Sequence, residues 1–205
     1  YAAQSSSIRP EAYLEDLVLS PETRRQKIAA TESGWDFSSR FFNDANTRME
    51  TTDLIPVDLN AIMFDFEKNM VQFARILGKH ERYMFFSRAQ RERRRMFRNV
   101  LWNPKKNVWC DRNIHTGRFK NRHVYASSWF PLWFALASNK EAFLAINTLK
   151  KSGLLMSHGI ATSTNSKSNE QWDGTNSWPP LNYAIIRGLK HYDPFLAEIF
   201  KERFI

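Results

Sequence analysis

Two stretches of the chain gather side chains that could act on a hydroxyl-rich ring compound. In Glu32-Ser33-Gly34-Trp35-Asp36-Phe37-Ser38-Ser39-Arg40, a carboxylate stands between two aromatic residues just past a glycine. An aspartate walled by aromatic rings loses solvation, and its pKa is expected to rise. A general acid that must hold a proton near neutral pH needs that rise, so Asp36 is the candidate proton donor. The competing reading is an Asp that caps the next turn. In Gln171-Trp172-Asp173-Gly174-Thr175-Asn176-Ser177-Trp178-Pro179-Pro180, two indoles lie among an Asp and several amides. Trp172 can stack on the apolar face of a sugar while Asp173 and the amides take its hydroxyls; the competing reading is a rigid turn that packs its tryptophans inward.

A third stretch is Arg9-Pro10-Glu11. Pro10 biases Arg9 toward an extended conformation, which puts Arg9 and Glu11 on one side of the chain. Such a pair offers a donor and an acceptor to neighbouring hydroxyls. On residue types alone, a surface ion pair of little energetic weight is the better reading of it.

Helices must position these stretches. Ser20 is placed to cap a helix that Pro21 opens and Gly34 stops, over Pro21 to about Ser33. Leu59, Ile62, Met63, Phe66, Met70, Phe73, Ala74 and Leu77 recur at steps of three and four, which predicts an amphipathic helix from Val57 to Leu77, ended by Gly78. Its antiparallel return runs from Glu81 to Trp102, with Arg93 interrupting the stripe of Tyr83, Phe86, Ala89, Met96 and Val100. Asn103-Pro104 breaks that helix. A small hairpin or irregular loop is expected over Asn107 to Asn121, then helices over Ser127 to Ala137 and Lys140 to Lys151. The polar, unperiodic stretch from Ser157 to Asn176 is a long loop of the kind that is usually functional or disordered. Pro179-Pro180 opens a helix to about His191, and Asp193-Pro194 opens the last. No strand alternation is evident. The reading is all-α: stacked helical hairpins joined by long, motif-bearing loops.

Composition narrows the functions. The chain has 205 residues, is 42% hydrophobic and 14% aromatic, and so can build a core rather than stay disordered. Cys110 is the only cysteine, which excludes an internal disulfide and a cysteine-based metal site. The five histidines are scattered and form no paired-histidine helix motif, so no metal and no cofactor are expected. A net charge of +9 permits a nucleic-acid partner, and Arg91, Arg93, Arg94, Arg95 and Arg98 form a basic run. Arg91, Arg94, Arg95 and Arg98 nevertheless recur at helical steps. They read as a solvated helix face rather than a nucleic-acid surface. Neither a signal peptide, nor an Asn-x-Ser/Thr acceptor, nor an apolar run long enough to span a bilayer is present, so localisation stays unknown and no membrane anchoring is visible.

Taken in order, these segments resemble the trehalase family of inverting glycoside hydrolases. Glu32 to Arg40 resembles the family's Glu-Ser-Gly-Trp-Asp-x-Ser-Ser-Arg segment, and Gln171 to Pro180 its Gln-Trp-Asp-x-Pro-x-Gly-Trp-x-Pro signature. Arg9-Pro10-Glu11 with Tyr13, Glu15 and Asp16 is similar to Arg-Pro-Glu-Ser-Tyr-x-Glu-Asp, and Pro56-Val57-Asp58-Leu59-Asn60-Ala61 matches a further family segment. His158-Gly159-Ile160-Ala161-Thr162-Ser163 is similar to a Gly-Gly-Ile-Pro-Thr-Ser loop. The resemblance runs along nearly the whole chain. Thr175 and Ser177 replace the signature's Pro and Gly, Phe41 replaces a Trp, and Ala12, Leu14 and Leu17 depart from the Arg-Pro-Glu segment. Ser at a position that needed a positive φ would carry strain.

The resemblance implies part of an (α/α)6 barrel, incomplete at both ends, with residues 1–205 a partial catalytic domain. It implies hydrolysis of α,α-trehalose to two glucoses with inversion, Asp36 as general acid, and the disaccharide as partner. Arg9, Pro10, Glu11 and Gly34 fall on substrate-contacting positions, and Trp172 and Asp173 lie in a signature that lines the pocket. The family's catalytic base is a Glu beyond the last matched segment, and its first signature lies ahead of the first. Neither is in this sequence, and Glu198 and Glu202 match no family motif. By the same resemblance an extracellular or membrane-attached location is admissible. The alternatives are a diverged, non-catalytic sugar-binding relative and another glucosidase on the same barrel.

Overall fold

A computed structural model of the chain describes residues 19–204, so Arg9, Pro10 and Glu11 of the predicted site lie outside the described residues. Helices make up most of what is described: α1 Pro21–Glu32, α2 Val57–Ile76, α3 His80–Met96, α4 Phe130–Trp133, α5 Asn139–Lys151, α6 Pro179–Tyr192 and α7 Pro194–Phe204. Local chemistry sets their ends. Ser20 Oγ accepts from the Thr23 N–H ahead of Pro21, the N-cap expected from the sequence. Ser138 and Glu141 form both halves of a capping box at the start of α5. Pro179 and Pro180 occupy the first turn of α6, where their missing N–H groups cost nothing.

α2 packs on α3 across a short turn at 77–79, α6 packs on α7 across Asp193, and α4, joined to α5 through 134–138, packs on α6. The other connections, 33–56, 102–125 and 152–178, are long and pair with one another. Strand β1 (Leu54–Ile55) pairs antiparallel with β4 (Arg112–Asn113), tying the first connection to the second. A Tyr125–Ser163 bridge ties the second to the third. β2 (Trp102–Asn103) pairs with β3 (Val108–Trp109), a small hairpin that begins ahead of the Asn107–Asn121 stretch where a hairpin or loop is expected, and β5 (Leu155–Met156) pairs with β6 (Gly159–Ile160). Strands of two residues are too short for period-two alternation to show, which is why the sequence reading missed them.

Three expectations need correction. The helix expected over Ser127 to Ala137 is a 3-10 turn at Ala126–Trp129 followed by the single turn of α4. Ala135 takes φ +54 and turns the chain away. The return helix stops being α-helical at Met96 and finishes as a π turn, Phe97–Leu101. The apolar stripe predicted for α2 is the third: α2 buries Val57, Asp58, Ala61, Phe64, Glu67 and Ala74 against the body. Half of the predicted stripe is exposed (Ile62, Phe66, Phe73 and Leu77), as are Tyr83, Met84 and Phe85 on α3. The helix is apolar on two faces, and only one of them meets the described body.

Arg93, which interrupts the α3 stripe, crosses to α2. It donates to both Glu67 carboxylate oxygens (2.7–3.0 Å) and to Asn60 Oδ1 (2.6 Å). Arg91, Arg94, Arg95 and Arg98 are exposed, as their spacing predicts. No helix among the described residues is long and apolar enough to cross a membrane.

Candidate active site

The acid loop starts where α1 stops. Gly34 turns the chain with φ +80, and a Cβ there would lie 3.1 Å from Cη2 of Trp178. Both the backbone angle and the space therefore demand glycine. Gly34→Ala is expected to destabilise the protein by about 1–3 kcal/mol, because it combines a left-handed Ala with a contact on Trp178. A denaturant titration giving a midpoint equal to wild type would show that this turn relaxes freely.

Trp35, Trp178 and Trp172 form one aromatic wall from two remote loops. The Trp35 and Trp178 rings meet edge to face at 6.1 Å, and Trp178 stacks on Trp172 at 4.7 Å with 24° between planes. Trp35 is fully buried, whereas Trp172 and Trp178 stay partly open. Asp36 follows Trp35 directly and is partly buried; its peptide bond to Phe37 is cis. The Trp172 N–H donates to the Phe37 carbonyl at 2.9 Å, joining the signature loop to the acid loop within one residue of Asp36.

Asp173 lies beneath this wall and is 4% exposed. Its Oδ1 accepts from Ser38 Oγ (3.1 Å) and Ser163 Oγ (2.8 Å), and its Oδ2 accepts from the Ser39 N–H (2.7 Å). One carboxylate thus holds three segments together. Gly174 supplies the positive φ of the signature loop (+61), and Ser177 is not among the positive-φ residues. The family-pattern Gly replaced by Ser177 therefore carries no such strain. Instead Ser177 Oγ accepts from Asn182 Nδ2 and donates to the Ile160 carbonyl. Asn182 is fully buried and also receives the Ile160 N–H at 2.7 Å, which pins the His158–Ser163 loop to α6.

The most concentrated charge lies behind the acid loop, in residues whose roles the sequence did not reveal. Arg40 is fully buried. Its Nη1 and Nη2 donate to Asp58 Oδ2 and Oδ1 at 2.6 and 2.7 Å, and its Nε and Nη2 to Asp111 Oδ2 and Oδ1 at 2.6 and 3.0 Å. Asp58 Oδ2 also accepts the Trp35 indole N–H at 3.1 Å. Burial by itself would raise the Asp58 carboxyl; the adjoining Arg40 charge and hydrogen bonds outweigh it and hold Asp58 below its ordinary range. Burial likewise works to lower Arg40, but Asp111 and Asp58 keep it well above its usual value.

One guanidinium between two carboxylates leaves an excess negative charge. It sits at the N-terminus of α2, where the Val57 N–H donates to Asp111 (2.8 Å) and the Leu59 N–H to Asp58 (2.9 Å). A helix N-terminus favours an anion there. Neighbouring Cys110 is buried and its thiol is pushed up to about 12, chiefly by burial, which makes it a core residue and not a nucleophile. Arg40 and Asp58 lie inside segments that matched family motifs. Asp111 gave no signal, because the short pairing that places it is silent in sequence.

The structure thus brings Gly34, Asp36, Trp172 and Asp173 together. Glu198, on α7, is exposed and paired with Lys201 at 2.5 Å.

Comparison with known proteins places this arrangement. A family model described as Trehalase matches residues 4–204. A trehalase of Apis mellifera is 33% identical over 228 residues, covering 100% of this chain and 36% of that protein. A probable trehalase of Oryza sativa is 36% identical over 185 residues, covering 80% of this chain and 33% of its own length. The chain therefore spans about a third of the length of the curated relatives it matches. Among solved structures, neutral trehalase Nth1 from Saccharomyces cerevisiae superposes with a TM-score of 0.77 at 19% identity, over 95% of this chain and 38% of that one. The fold is that of part of an (α/α)6 barrel, as the motifs implied. With a family model spanning nearly every residue and its two signature segments meeting at one aromatic wall, the chain belongs to the trehalase family.

Proposed function

We propose that this chain contributes the proton-donating side of an inverting α,α-trehalose hydrolase. The observation that carries the reading is the placement of Asp36. In the chain it stands between Trp35, which meets the Trp178–Trp172 pair, and Phe37, whose carbonyl accepts the Trp172 N–H, in a segment that resembles the family's acid motif. In this reading Asp36 protonates the glycosidic oxygen, and Trp172 packs against a glucosyl face. Gly34 meets the sugar through its backbone, and Arg9, Pro10 and Glu11 belong to a segment that by resemblance contacts substrate. Asp173 serves the sugar through the loop it ties rather than by direct contact, because three donors already occupy it.

Inversion requires a second carboxylate about 6.5–9.5 Å from the acid to activate water from the opposite face. No residue of this chain is assigned that role, so the 205-residue chain alone is expected to be inactive. The test is hydrolysis of trehalose by the full-length protein, with the product anomers read by NMR as they form. Inversion releases one α- and one β-glucose per bond. Two α-glucoses would assign a retaining mechanism, and no hydrolysis would favour the sugar-binding relative.

Trp172→Ala is expected to weaken binding of substrate or a sugar inhibitor by roughly tenfold or more, the loss of a stacking face worth on the order of 1–2 kcal/mol. The melting temperature should fall less in proportion, since Trp172 is only partly buried. Unchanged affinity with a large drop in melting temperature would make Trp172 a core residue.

A further inference from the structure

A separate open cavity of about 170 Å³ lies between the 42–46 turn, the 120–125 segment and residues 165–168. Neither Asp36 nor Trp172 lines it. Lys120, Arg122 and Lys167 bring positive charge to its wall, and Asp44 is the only acidic side chain there. These charges are unequally answered. Lys120 is 10% exposed and held by Glu50 Oε1 at 3.0 Å, with Asp44 Oδ1 at 3.6 Å. Arg122 donates to the main-chain oxygen of Asp44, a contact that fixes the guanidinium without cancelling its charge. Among the described residues no carboxylate lies within ion-pair distance of Arg122 or Lys167.

His123 also lines the cavity, and its pKa is lowered, first by burial and then by Arg122. Both the burial and the positive field oppose a further proton. An apolar cavity of about 150 Å³ accepts a benzene ring, so this volume holds one ring or one oxyanion, and its open mouth, where Arg122 and Lys167 are exposed, leaves the rest of a larger ligand outside. Here the lining carries three cationic side chains against one acidic one, which favours an anion over a hydrocarbon.

We propose that this cavity binds a small phosphate-bearing ligand, either free phosphate or a monosaccharide phosphate ester, with Arg122 and Lys167 as its charged contacts. The two sources share the oxyanion, and the guanidinium recognises it through paired N–H donors. The site shares a wall with the acid loop through Ser39, whose Oγ accepts from Asn165 Nδ2 at 2.8 Å. The proposal does not depend on trehalose hydrolysis.

The experiment is calorimetric titration of the full-length protein with inorganic phosphate, glucose phosphate and glucose, in chloride buffer at fixed ionic strength. Both phosphates should bind, and R122Q/K167Q should weaken that binding by at least ~10-fold, the loss of two charge-assisted contacts. The melting temperature should stay unchanged. Tighter binding of the sugar ester identifies the ester as ligand; equal binding identifies free phosphate. In parallel, NMR of labelled histidine should show the His123 pKa rising on saturation with phosphate, because a bound anion stabilises the imidazolium. The signal is assigned by its loss in His123→Gln. Absence of phosphate binding at millimolar concentration overturns the proposal. So does undiminished binding in the double variant, or glucose binding as tightly as its phosphate.

Discussion

Asp36→Asn in the full-length protein is expected to lower the rate of trehalose hydrolysis by at least ~10²-fold while leaving the protein folded. The substitution keeps the shape of the side chain and removes the transferable proton. The departing glucose then leaves as an alkoxide without protonation, which is the step a general acid exists to prevent. The wall around Asp36 has anchors of its own. Trp35 is held by Asp58, Trp172 by the Phe37 carbonyl, and the loop by Asp173. Sugar affinity in the Asn variant should therefore stay within a few-fold of wild type, placing the loss in kcat rather than KM. Glucose release measured under saturating trehalose checks this. A variant with near-normal turnover would remove Asp36 from the mechanism.

Arg40→Leu is expected to cost about 3–5 kcal/mol of folding stability, the range seen when one partner of a buried ion pair is deleted. Leucine fills part of the space but leaves Asp58 and Asp111 facing each other in the interior. The effect has a pH signature. In the wild type, Asp58 titrates below its unfolded value of about 3.9, so its contribution is present above that pH and is lost as pH falls through the folded pKa. In Arg40→Leu, burial acts unopposed and the carboxyl is pushed above its unfolded value. The penalty is then full above the raised pKa and relieved as pH falls toward about 4. The gap between variant and wild type in urea titrations should thus be widest at neutral pH and narrow on acidification. A gap that is constant with pH would mean the lost stability comes from packing alone.

How much of this was legible in sequence depended on the length of the signal. The helices announced themselves through caps and breakers. Ser20, Pro21, Gly34, Gly78 and Pro179 act locally, and a local effect reads the same in sequence and in space. The acid segment and the indole signature were legible as motifs, and their meeting at Phe37 and Trp172 followed the resemblance. The face that α2 buries was not. Its periodicity shows two apolar sides, and nothing in a period says which side meets the body. Asp111 was invisible for another reason. It reaches Arg40 because two-residue strands set its register, and such strands have no pattern of their own. Asp173 is legible in sequence as a pocket residue of the signature, whereas its bonds to Ser38 and Ser39, more than a hundred positions away, are not.

That tie also sets an order of assembly. Ser38 and Asp173 are 135 positions apart, and the bond between them cannot form until the third long connection exists. At a synthesis rate of about 5–20 residues per second, the acid loop waits on the order of ten seconds on the ribosome before its anchor emerges. During that interval Trp35 and Phe37 have no partner from the signature loop, so the loop that carries Asp36 lacks this anchor until residue 173 is made. Contacts of such span slow folding, because loop closure precedes any gain from the contact. A nascent chain stalled before residue 173 would present these aromatic side chains to chaperones, whereas one extended past it would begin to conceal them.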